Sequence, residues 1–150
     1  MDVLRVRRSL LIILGAMACL ICLPCPGEAT AADDLQVIVN PGNSLGALDS
    51  KELQRIYLGK KTRWEDGTTI VTVMPKEGAV YDRFIEDYLD RSVQRFATYW
   101  RQMVFTGKGV PPRSFVEETD LVDFVARTPG AVGFTSASAV TPEVRVIPVD

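Results

Sequence analysis

An α/β fold around a small mixed sheet is what this sequence predicts, on three observations. Short runs rich in β-branched residues alternate with stretches whose apolar residues recur at helical spacing, in the order β-α-β-α-α-α-β-β. Nothing between these segments reads as a linker, an internal repeat or a low-complexity tract. Without its first 31 residues the 150-residue chain retains 119, enough for one domain and too few for two.

Leu35 to Asn40 reads as the first strand, ended by the turn Pro41-Gly42-Asn43-Ser44. Asp49 is placed to cap a helix, and Glu52, three residues on, completes a capping box. Leu53, Ile56 and Tyr57 share that helix's buried face, and Gly59 stops it. Lys60, Lys61 and Arg63 follow, where the helix dipole favours cations. Thr69 to Met74 forms the second strand, closed by Pro75. Val80, Tyr81, Phe84, Ile85, Tyr88 and Leu89 then recur at helical spacing, with Asp87 and Arg91 one turn apart on the exposed side. Ser92 caps a further helix that buries Val93, Phe96, Ala97, Trp100 and Met103. Phe105 to Ser114, rich in glycine and proline, is predicted to be a loop. Thr119 caps a helix that turns Leu121, Val122, Phe124 and Val125 inward and ends at Thr128-Pro129-Gly130. Ala131 to Thr135 reads as a buried strand and Val144 to Val149 as the last, close enough in sequence to form an antiparallel edge.

The first 31 residues read as an address. Arg5, Arg7 and Arg8 precede an apolar run from Ser9 to Leu23, and Ala29-Thr30-Ala31 offers a small-x-small cleavage site. The run is shorter than the roughly 20 residues of a spanning helix. A cleaved signal peptide, 1–31, is therefore expected, with export to the periplasm or beyond and no membrane span in the mature chain. No lipid anchor is expected, because Cys19, Cys22 and Cys25 lack a good lipobox before them.

All three cysteines lie in that segment and the chain has no histidine. Residues 32–150 thus offer no disulfide, no thiol nucleophile and no histidine, the commonest general base and metal ligand. Taking 3 from the 17 basic residues and 2 from the 19 acidic ones leaves a net charge of −3, which argues against a nucleic-acid partner. Glu65-Asp66, Glu86-Asp87 and Glu117-Glu118 are adjacent carboxylates with nothing to aim two of them at one substrate, and Ser136 has no histidine to activate it. An enzyme is not expected, nor a metal or other cofactor.

The best candidate chemistry is small-anion binding. Lys76, Gly78 and Ala79 stand at a strand-to-helix junction, where free N–H groups and the dipole attract anions, although Glu77 opposes this. Asn43 and Ser44 follow the first strand, and Thr135 and Ser136 follow the third. Ligands in open α/β sheets gather beyond the carboxyl ends of strands, so these three loops are expected to converge. Each also has a plainer reading as an ordinary turn or strand end. Trp64 and Trp100 are expected in the core or a lid rather than stacked on a ligand, and the basic residues Lys60, Lys61, Arg63, Lys108 and Arg113 read as solvated surface charge.

Four stretches in this order carry a family resemblance. They are Val37 to Gly67 (including KELQRIYLGKKTRWEDG), TTIVTVMPKEG, YDRFIEDYL, and TPGAVGFTSASAV before VRVIPV. Together they resemble the phosphate ABC transporter substrate-binding proteins of the type II periplasmic binding protein superfamily, in a short single-lobe form. The run from Trp100 to Pro112 is similar to such short members. The resemblance implies a single-lobe, periplasmic-binding-protein-like α/β sandwich over 32–150. Its implied partners are a small anion such as phosphate, an ABC transporter permease or extracytoplasmic sensor, and a second copy of the chain. Phosphate-binding relatives carry an arginine and a Ser-Gly-Thr at the junction where this chain has Pro75-Lys76-Glu77-Gly78-Ala79-Val80. Two functions follow: a secreted solute-binding-like module, or a non-catalytic interaction or accessory module that has lost its ligand.

Overall fold

The computed structural model describes residues 34–150, so the expected signal peptide lies outside the described residues. The chain runs β1 (Leu35–Val39), α1 (Ser50–Tyr57), β2 (Val71–Pro75), α2 (Ala79–Arg83), α3 (Val93–Phe105), β3 (Arg113–Phe115), α4 (Glu118–Arg127), β4 (Ala131–Ser136) and β5 (Arg145–Ile147). A π-helical turn, Phe84–Tyr88, continues α2, and a 3-10 turn, Ala137–Ala139, follows β4.

The five strands form one sheet in the order β3-β2-β4-β1-β5. β3, β2 and β4 are parallel, β1 runs antiparallel to β4, and β5 antiparallel to β1. The expected mixed α/β sheet is therefore present, with two differences. β5 lies at an edge, but its partner is β1 (Val37 opposite Ile147), not β4. The predicted loop also ends in a strand, β3, beside β2. Three residues behind Pro111-Pro112 show no period, and prolines are tolerated where an edge strand begins. Arg113 fixes β3 to α4 by lying over the rings of Phe124 (4.7 Å) and Phe115 (5.3 Å).

Helices cover both faces, which is why β4 is buried throughout. On one face Val37, Val39, Met74, Val132 and Phe134 pack with Leu53, Ile56 and Tyr57 of α1, Phe84, and Phe96 and Trp100 of α3. Phe84 stacks on Phe134 at 3.7 Å between centroids, and Tyr57 meets Phe84 edge-on at 4.7 Å. On the other face Ile38, Val73 and Ala131 pack against Leu121, Val122 and Val125 of α4. Gly133 lets α4 sit close, because a Cβ there would stand 2.7 Å from Val73 Cγ2 and 3.2 Å from Leu121 Cδ2. Both tryptophans belong to the core: Trp64 Nε1 donates to Gly130 O (3.0 Å) and Trp100 Nε1 to Tyr57 O (3.2 Å).

Two caps differ from expectation. Asp49 accepts from Lys51 N (2.8 Å), but the Glu52 carboxylate pairs with Lys61 instead of completing the box. α4 begins at Glu118 with Glu117 at its N-cap, ahead of Thr119, and no side chain caps it. A tertiary bond from Glu118 to β4 holds that start.

Candidate functional site

β2 and β4 run in parallel, with Thr72 opposite Val132, and four residues further along each strand lie Lys76 and Ser136. The β2–α2 junction and the end of β4 therefore share one end of the sheet. Lys76, Gly78 and Ala79 are exposed there, and Lys76 N donates to Phe115 O (2.8 Å). Gly78 has φ 115° and ψ 173°, a conformation that favours glycine, and no side chain caps α2 at that position. Glu77 is exposed beside them.

Thr135 and Ser136 are buried, and their donors are engaged. Thr135 Oγ1 donates to Glu118 Oε2 (2.9 Å), as do Ser136 N (3.2 Å) and Ser136 Oγ. Ser138 Oγ lies 3.0 Å from Ser136 Oγ. A carboxylate oxygen thus occupies the donors that sequence reasoning offers to a ligand. Glu118 is the first residue of α4, where a negative charge suits the helix dipole. Only the adjacency of Glu117 and Glu118 flagged it in the sequence, since the bond spans 17 residues and depends on how α4 docks.

Asn43 and Ser44 do not join this group. β1 is antiparallel to β4, so its carboxyl end, and the turn that follows, lies at the opposite end of the sheet. The expectation of three converging loops assumed three parallel strands. Asn43 Oδ1 accepts from Leu45 N (3.0 Å) and Ser44 is exposed. Asn43 Nδ2 is buried and has no hydrogen-bond partner among the described residues. With Asn40, Trp64, Asp66, Thr68 and Gly130, Asn43 lines a cavity of about 160 Å³. Hydrogen bonds from Thr68, its backbone N–H foremost, hold the Asp66 carboxyl below the usual carboxylate range. Asn40 is a structural residue here: its Nδ2 donates to Val125 O and Ala126 O (both 2.9 Å), tying the last turn of α4 to β1.

No family model and no curated protein matches the sequence. Solved structures do match. An ABC-type phosphate transport receptor from Vibrio cholerae superposes with a TM-score of 0.60 at 20% identity, over 78% of this chain and 46% of that one. PstS from Borrelia burgdorferi gives 0.61 at 12% identity, over 79% and 47%. A protein from Clostridium perfringens, described as a phosphate ABC transporter substrate-binding protein and holding bound phosphate, gives 0.63 at 21%, over 79% and 45%. The fold is that of phosphate-type solute-binding proteins. This chain spans less than half the length of those structures, in keeping with a single lobe of the phosphate-binding-protein-like fold. Among the described residues no helix is long and apolar enough to cross a membrane.

Proposed function

We propose that this chain is an extracytoplasmic solute-binding-like module that takes a small anion such as phosphate where β2 and β4 end. Lys76, Gly78, Ala79, Thr135 and Ser136 form that site. One observation carries the reading: in a fold matched by phosphate-binding proteins, the donors at the end of β4 already grip an oxyanion, the Glu118 carboxylate. Lys76 adds positive charge at the neighbouring strand end. Asn43 and Ser44 have no part in the site. The basic and apolar residues of 1–31 direct export as a signal peptide. The module binds without catalysis and serves a transporter permease or an extracytoplasmic sensor.

The second reading is a non-catalytic interaction or accessory module. Glu118 favours it too, since a carboxylate already fills the hydroxyl cradle, and the junction lacks the arginine and Ser-Gly-Thr of phosphate-binding relatives.

Thermal unfolding with millimolar phosphate, sulfate and small carboxylates separates the two. Anion at 100 times its dissociation constant adds about 2.7 kcal/mol of stability. Lys76→Ala removes the shift if the β2–α2 junction holds the ligand. No shift with any anion sinks the solute-binding reading for the free protein and favours the interaction module. Light scattering then tests self-pairing, and a strict monomer excludes it.

A further inference from the structure

We propose that Thr135, Ser136 and Ser138 form an oxyanion cradle whose resident ligand is Glu118, and that an external oxyanion takes the cradle when Glu118 swings out. The proposal rests on the solute-binding reading and adds to it the element that regulates the site. The geometry is that of ligand capture. Three donors, Thr135 Oγ1, Ser136 N and Ser136 Oγ, meet the single oxygen Oε2, which is the arrangement that stabilises a charged acceptor. Because Ser136 Oγ donates its one proton to Glu118, the 3.0 Å contact with Ser138 Oγ has Ser138 as donor, and the hydroxyl chain points toward the carboxylate.

The occupant is built to leave more readily than the cradle is built to stay empty. Glu118 is only half-buried, whereas Thr135 and Ser136 are buried. Swung outward, Glu118 remains in the first turn of α4, where the dipole still favours its charge. An emptied cradle would leave buried donors without an acceptor, which is costly. A carboxylate, sulfate or phosphate oxygen restores all of those bonds. Lys76 stands exposed at the adjacent strand end.

The test compares the full chain with Glu118→Ala, Glu118→Gln, Glu118→Ala/Ser136→Ala and Glu117→Ala, titrated with phosphate, sulfate and acetate by calorimetry and thermal unfolding. Glu118→Ala is expected to bind at least one of these anions tenfold or more tightly than wild type. Glu118→Gln, which keeps an acceptor but no charge, is expected to fall between them. The double variant should return to wild-type affinity or weaker. Glu117→Ala, with the same change of charge at an exposed neighbour, should leave affinity unchanged. The proposal is overturned if neither Glu118 variant binds more tightly than wild type, or if the gain survives Ser136→Ala or appears equally in Glu117→Ala. Should Glu118→Ala not fold, Glu118→Gln decides. Wild type silent to every anion while Glu118→Ala responds would end anion binding by the free protein and keep the cradle. Wild type binding through Lys76 with no gain in either Glu118 variant would do the reverse.

Discussion

Tyr57 ties α1 to the sheet through one atom. Its ring is buried among Phe84 and Phe134, and its hydroxyl donates to Val73 O at 2.9 Å. Burial pushes the hydroxyl's pKa well above its ordinary 10.0. The unfolded tyrosine therefore loses its proton first as pH rises, and the unfolded state then binds fewer protons than the folded one. The stabilisation from this group is complete below the unfolded pKa of about 10 and is lost above it. Tyr57→Phe should cost about 1 kcal/mol at neutral pH, from the lost hydrogen bond. It should also flatten part of the fall in stability above about pH 10. Urea midpoints at neutral and alkaline pH check both. Some alkaline fall will persist in the variant, because burial and then the Asp82 charge raise the Tyr81 pKa as well.

At the scale of elements, α4 is held at both of its ends by polar bonds to the sheet. Glu118 bonds to β4 at its start, and Asn40 meets the carbonyls of Val125 and Ala126 near its end. Asn40→Ala strips a buried tie from both carbonyls and from Gly42 N, which Asn40 Oδ1 also accepts. A loss of about 1–3 kcal/mol is expected. Asn40→Asp, which brings an acceptor to two acceptors, should lose more; chemical denaturation of both variants measures the difference. These ties mark what the sequence made legible and what it hid. Elements with their own period were readable: β1, β2 and β4 from their apolar runs, α1 and α3 from facing residues such as Leu53 and Ile56 or Phe96 and Trp100. β3 was not, because three residues carry no period and Arg113–Phe115 becomes a strand only when β2 lies beside it. The partner of β5 was hidden for a related reason. Nearness in sequence suggested β4, but that strand has β2 on one side and β1 on the other, and β5 pairs with the far side of β1.

The whole molecule decides which candidate residues can act together. Residue types flagged Asn43, Ser44, Lys76, Gly78, Ala79, Thr135 and Ser136 alike, as small polar groups, backbone donors or a cation near strand ends. Strand direction, which no local pattern encodes, splits them between two ends of the sheet. Asn43→Ala and Ser44→Ala should therefore leave any anion-induced thermal shift as it is in wild type, whereas Ser136→Ala should change it. Calorimetric titration of the three variants with phosphate makes the comparison. An effect at Ser44 equal to that at Ser136 would contradict the assignment of the site.

The reversed direction of β1 also sets its start against the end of β4. Leu35 stands opposite Ser136, and Ala137 N donates to Asp34 O at 2.8 Å. Asp34 and Leu35 thus lie beside the candidate site. A fluorophore placed at position 34 would report on the cradle at short range, while one at position 44 would report on the far end of the sheet. With cysteines confined to positions 19, 22 and 25, residues 32–150 can take either label through a single introduced thiol.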